Sequence, residues 1–138
     1  MANYEGTTRT NYFRVTDEKR YKELIQNFAC DTDDVYHHTK KKNGETFHMF
    51  GAYGTIEYVS DENELCSLSD IFYPELQKIL LEGEAFILQE VGHEKLCYVN
   101  GYANIVTKDT VKYVDLSMVI MQTAKEMLGN QFETELEY

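Results

Sequence analysis

Residues Gly83 to Val106, GEAFILQEVGHEKLCYVNGYANIV, decide how the chain is read. Two runs rich in strand-forming residues meet at Gly92-His93, where a glycine can take the positive φ that a tight hairpin turn demands. A two-residue turn there sets Glu90 opposite Lys95, Leu88 opposite Cys97, Ile87 opposite Tyr98 and Phe86 opposite Val99. Opposite charges and apolar pairs then coincide, each contributing about 0.2–1 kcal/mol. Large side chains on both faces place the pair in mid-sheet, and Gly101 marks a bulge or a close backbone approach.

Outward from that hairpin, the chain divides by its turn chemistry and periodicity. Asn43-Gly44, between VYHHTKKK and ETFHMFGAY, is the strongest short hairpin signal. Its register sets Lys42 against Glu45, His38 against Met49 and His37 against Phe50. Gly51 and Gly54 mark a bend, after which Thr55 to Val59 resumes as a strand, and Ser60 to Leu65 is a charged loop. Before it, Asn11 to Val15 reads as a first strand, and Thr16 caps a helix whose Tyr21, Leu24, Ile25 and Phe28 recur at helical spacing. Leu68 to Glu82 reads as a helix with Pro74 in its first turn and Gly83 at its end. Val111 to Val114 is a strand. Asp115 or Ser117 caps a last helix, Met118 to Leu128, with Val119, Ile120, Thr123, Ala124, Met127 and Leu128 as its buried stripe.

The expected fold is α+β. It is a single domain over 1–138 with an antiparallel sheet of about five to six strands and three helices, largely on one face, in the order β-α-β-β-β-α-β-β-β-α. Residues 1–9 read as a loose arm and 130–138 as an acidic tail that folds only on a partner. Cys30, Cys66 and Cys97 show no CxxC spacing and read as buried thiols of a reducing compartment. There is no apolar run long enough to cross a membrane, and the polar start MANYEGTTRT is no signal peptide.

Charge is the outlier. The 138 residues carry 24 Asp and Glu against 13 Lys and Arg, a formal net of −11. Such a balance repels nucleic acid and anionic membrane and favours a basic partner. Residues 1–42 hold seven acids and eight Lys/Arg, whereas Asn43 to Gln77 holds seven acids and no Lys or Arg. In an extended chain, acids at alternate positions recur at about 6.6 Å, a thinned version of the phosphate row of one DNA strand, which repeats at about 3.4 Å. Glu57, Asp61, Glu62, Glu64 and Asp70 therefore form a candidate partner-binding surface, with Tyr53, Tyr58 and Tyr73 offering base-like faces. Equally, an acidic surface can do no more than keep a protein soluble.

Catalytic constellations are sparse. No nucleophile elbow, phosphate loop or His-Glu-x-x-His is present. His37 and His48 fall on one face as a diagonal cross-strand pair, and Cys30 or Asp34 could add a third ligand. Zinc needs three or four converging ligands, so the expectation is no metal, no cofactor and no catalytic residue. His93 sits beside Glu94 at the tip of the expected hairpin.

Two segments carry a family resemblance: TTRTNYFRVTDEKRYKELI (Thr7 to Ile25) and GEAFILQEVGHEKLCYVNGYANIV (Gly83 to Val106), with Phe50-Gly51-Ala52-Tyr53-Gly54 between them. They resemble small acidic accessory proteins of bacterial plasmids, phages and conjugative elements. The resemblance implies a protein of the bacterial cytoplasm with a mobile-element role, and it brings no catalytic residues. By analogy of context it suggests an anti-CRISPR protein, a non-enzymatic inhibitor that occupies a nucleic-acid-handling effector. Two alternatives stand beside it. One is an accessory protein that binds a partner in conjugation or replication. The other is a small metal-dependent enzyme built on His37 and His48. The sequence leaves monomer and homodimer equally open.

Overall fold

The computed structural model describes residues 4–30, 34–94 and 98–129. In chain order the elements are β1 (Tyr4–Thr10), α1 (Glu18–Ile25), β2 (Phe28–Cys30), β3 (Tyr36–Lys42), β4 (Glu45–Ala52), β5 (Ile56–Val59) and β6 (Leu65–Cys66). There follow α2 (Phe72–Ile79), β7 (Phe86–Glu94), β8 (Tyr98–Val106), β9 (Val111–Asp115) and α3 (Leu116–Leu128). Six strands form one antiparallel sheet in the order β3-β4-β1-β7-β8-β9, and β2-β5-β6 form a second, smaller one. The α+β class, the three helices and the antiparallel pairing are as the sequence implies.

Where a turn is built from its own residues, the register follows the sequence. Asn43 and Gly44 have φ of 55° and 79°, both left-handed as a twisted two-residue hairpin requires. The β3–β4 pairing then runs Lys42↔Glu45, His38↔Met49 and His37↔Phe50, as expected.

The β7–β8 hairpin differs. No turn forms at Gly92-His93, and β7 continues to Glu94, with Phe86 opposite Val106, Leu88 opposite Asn104 and Glu90 opposite Tyr102. Relative to the expected pairing, β8 has slid by an odd number of residues, which exchanges its two faces. Gly92 is a glycine for a different reason. A Cβ there would lie 2.6 Å from the Glu5 carbonyl oxygen and run into the Tyr4 ring, so the position serves close approach and not a turn. His93 is no loop tip, for it pairs with Glu5 inside the sheet. Lys95 and Cys97 lie outside the described residues.

The expected loose arm 1–9 is also corrected. Residues 4–10 form β1, which lies in the middle of the large sheet between β4 and β7. Every residue from Tyr4 to Thr10 has a partner on β7, so long-range pairing holds a segment that has no apolar periodicity of its own. The expected strand Asn11 to Val15 makes only two isolated bridges, Phe13 to His48 and Val15 to Leu80. The tail 130–138 lies outside the described residues.

Between the inner face of the large sheet and the layer made by α1, α2 and the small sheet lies the core. Phe13, Phe50, Phe72 and Phe86 are fully buried and meet largely edge to face, with Phe13–Phe86 centroids 5.0 Å apart. Such aromatic pairs add about 0.5–1.5 kcal/mol beyond the area they bury. α1 supplies Tyr21 and Leu24, while α2 supplies Phe72, Tyr73, Leu76 and Ile79. Asp17 caps α1 by accepting from the Arg20 amide, one residue later than expected, and Asp115 caps α3 through Met118.

α3 does not join α1 and α2. It starts against the opposite face of the large sheet, where a Cβ on Gly101 would come within 3.1 Å of Leu116. None of its residues is buried. The apolar stripe expected to be buried is instead largely open to solvent at Val119, Ile120, Met127 and Leu128. No helix among the described residues is long and apolar enough to cross a membrane.

Candidate partner-binding surface

The acidic segment is held by two tight turns and is no slack loop. Val59 pairs with Leu65, closing the five residues Ser60 to Glu64 between β5 and β6. Within them the Ser60 amide donates to the Glu64 carbonyl at 2.8 Å, the Asn63 amide donates to the Ser60 carbonyl, and the Ser60 hydroxyl accepts from the Glu64 amide. Asn63 takes the left-handed φ of 61° that the turn needs, a conformation Asn tolerates better than most residues. Asp61, Glu62 and Glu64 therefore project from a fixed frame, all exposed. In the next turn Asp70 accepts from both the amide and the hydroxyl of Ser67, each at 3.2 Å. Glu57 lies half-buried on β5, opposite Ala29.

These carboxylates share one neighbourhood. The Cys66 thiol is raised above its ordinary pKa first by desolvation and then by the charges of Asp70, Glu57 and Glu64. Several acids elsewhere on the molecule are paired with bases. Arg14 is bonded to Glu45 and Glu84, Arg20 to Glu23 and Glu75, Lys78 to Glu75, and His48 lies 2.6 Å from Glu18. Among the described residues, Glu57, Asp61, Glu62, Glu64 and Asp70 make no ion pair. The basic-free tract thus becomes a surface of uncompensated charge around β5, β6 and the turn before α2.

The tyrosines divide. Tyr53 is 66% exposed, just ahead of β5. Tyr58 and Tyr73, expected to offer base-like faces, are each only 2% exposed and belong to the core. Burial, first of all, raises the Tyr73 phenol far above its ordinary pKa. On a strand, residues alternate between faces, so the half-buried Glu57 faces away from the core and Tyr58 inward; on α2, Tyr73 shares the core face with Leu76 and Ile79.

What the sequence reading missed is the environment of Glu90. It was expected to pair with Lys95 across a hairpin. Instead it is 3% exposed on the inner face of the large sheet, surrounded by hydroxyls. Tyr4 donates to Oε2 at 2.8 Å, Tyr102 to Oε1 at 2.9 Å, and Thr55 to Oε2 at 3.2 Å. The Thr8 hydroxyl lies 3.3 Å from Oε1 and 2.6 Å from the Gly54 carbonyl oxygen. The Tyr102 phenol is raised well above its ordinary pKa by burial and then by the Glu90 charge. A signal was present: in Phe86-Ile87-Leu88-Gln89-Glu90 the alternation puts Glu90 on the same face as Phe86 and Leu88. The assumption of a turn two residues later concealed it.

The histidines do not form a centre. His48 is buried beside Phe13 and Tyr21 with Nε2 on Glu18. The His37 ring is stacked against Phe28 at 6.0 Å, and desolvation, followed by the charge of His48, lowers its pKa. Among the described residues no three His, Cys, Asp or Glu side chains converge as metal ligands would. Cys30 and Cys66 are half-buried and not enclosed in the core as expected. No protein-family model, curated protein or solved structure matches the chain.

Proposed function

We propose that this protein is a non-enzymatic binding protein that docks a basic, nucleic-acid-handling partner through the acidic surface of β5, β6 and the turn at Ser67 to Asp70. The observation that carries the reading is the set of carboxylates at Glu57, Asp61, Glu62, Glu64 and Asp70, which have no ion pair among the described residues. Like charges held together in a rigid frame at the surface destabilise the isolated molecule slightly, and an oppositely charged surface relieves them on docking. The turn hydrogen bonds support the reading further, because a pre-ordered surface loses less conformational entropy on association. Tyr53 supplies an exposed aromatic ring close to β5.

The resemblance to mobile-element accessory proteins extends the proposal to a partner class, a CRISPR effector whose nucleic-acid channel the acidic surface occupies. The test is inhibition of target-DNA cleavage by such an effector across a salt series. Inhibition weakens steeply as salt rises. The combined change Asp61→Lys, Glu62→Lys and Glu64→Lys weakens it by about tenfold or more. Inhibition unchanged by that reversal removes the acidic turn from the account, and a parent chain that inhibits none of the effectors removes the partner class.

A further inference from the structure

Behind the acidic surface, a cavity of about 250 Å³ lies between the small sheet and the inner face of the large one, with Glu90 in its wall. Thr8, Thr55, Tyr102 and Asn104 line it from within, and Glu57, Ser67 and Ser69 line its outer part. No Lys, Arg or His is among the residues that line it.

The hydrogen-bond inventory of Glu90 is incomplete in one place. A carboxylate has about four acceptor positions. Tyr4 and Thr55 occupy Oε2, and Tyr102 occupies one position on Oε1. The Thr8 hydroxyl has a single proton. The Gly54 carbonyl at 2.6 Å takes it in preference to Oε1 at 3.3 Å. The Thr8 hydroxyl, shared between two acceptors, therefore serves Glu90 Oε1 only weakly, beside a cavity whose outer wall holds another carboxylate. A buried carboxyl group lined by no basic side chain is suited to a cationic hydrogen-bond donor, which adds both a donor and a counter-charge.

We propose that this cavity receives a guanidinium group, the arginine side chain of the partner protein, with Glu90 as its deep acceptor and Glu57 at the entrance. A guanidinium fits better than an ammonium on two counts. Its planar fork carries five donors, matching acceptors spread over Glu90, Thr8, Ser69 and Asn104. It is also weakly hydrated and stacks on aromatic rings, here Tyr73 and Tyr102. The volume admits one side-chain head and excludes a nucleotide or a folded loop. This assignment deepens the proposed function and rests on it for the identity of the ligand's carrier.

The test uses the full chain and N-acetyl-arginine methylamide, followed by amide chemical shifts, with the neutral citrulline analogue and spermidine as controls. Saturable shifts are expected at Thr8, Thr55, Ser69 and Tyr102, absent with the citrulline analogue, and weakened at least tenfold by Glu90→Gln. Because that variant alters a buried network, Ser69→Phe provides a second arm that narrows the entrance without touching Glu90, and the same loss is expected. Absence of saturable shifts in the parent chain, or full binding by a folded Ser69→Phe chain, overturns the assignment. So does Glu90-dependent binding of spermidine that is tighter than that of the arginine derivative, which makes the cavity a site for a free polyamine. The two proposals fail separately. Reversing Asp61, Glu62 and Glu64 leaves arginine binding intact, whereas Glu90→Gln and Ser69→Phe weaken it at least tenfold.

Discussion

Gly92 illustrates how one residue can be chosen for a reason its neighbours do not advertise. In sequence, a glycine before a histidine between two strand-like runs reads as a turn. In the fold it lies within β7, opposite Gly6, where the Tyr4 ring and the Glu5 carbonyl occupy the space a Cβ would need. Gly92→Ala is therefore expected to destabilise the fold by about 1–3 kcal/mol, as overpacking does. The urea midpoint checks it, and an unchanged midpoint would mean that Tyr4 and the β1 backbone yield without cost. The same close approach seats the Tyr4 hydroxyl on Glu90. Neither fact was legible, because both depend on β1, with Tyr4 86 residues from Glu90, pairing alongside β7. By contrast, the exposure of Asp61, Glu62 and Glu64 was legible, since turn chemistry and charge agree there.

At the level of elements, the contrast between two hairpins locates what sequence can specify. Asn43-Gly44 sets the β3–β4 register through its own φ values. The β7–β8 register follows instead from contacts across the sheet, with Leu88 and Phe86 required on the core face. α3 makes the matching point for helices. Its periodicity implies a buried apolar stripe that the fold leaves open, because periodicity tells which residues share a face and not what lies against that face. Met118 and Met127 are 69% and 78% exposed. Met118→Glu with Met127→Glu is thus expected to change stability by no more than about 0.5 kcal/mol per site, measured by thermal melting. A large loss would show that these side chains are covered in solution.

On the scale of the whole molecule, class and pairing sense were readable from alternating patterns and short turns, but strand order was not. The position of β1 between β4 and β7 arises from partners at Gly51, Ala52 and residues 88–94, and no local pattern encodes it. A chain starting at Asn11 is expected to lose its cooperative urea transition, because β3-β4 and β7-β8-β9 would no longer be joined through a shared strand. Circular dichroism across a urea series checks this, and a retained sharp transition would show that the two parts close on each other directly. There is also a consequence for biosynthesis. The ribosome makes β1 well before its β7 partners, Leu88 to Glu94, so one edge of the strand at the centre of the finished sheet must wait, unpaired, until they emerge. Its composition, YEGTTRT, suits that delay: threonines and charges tolerate water where a greasy central strand would invite misassociation.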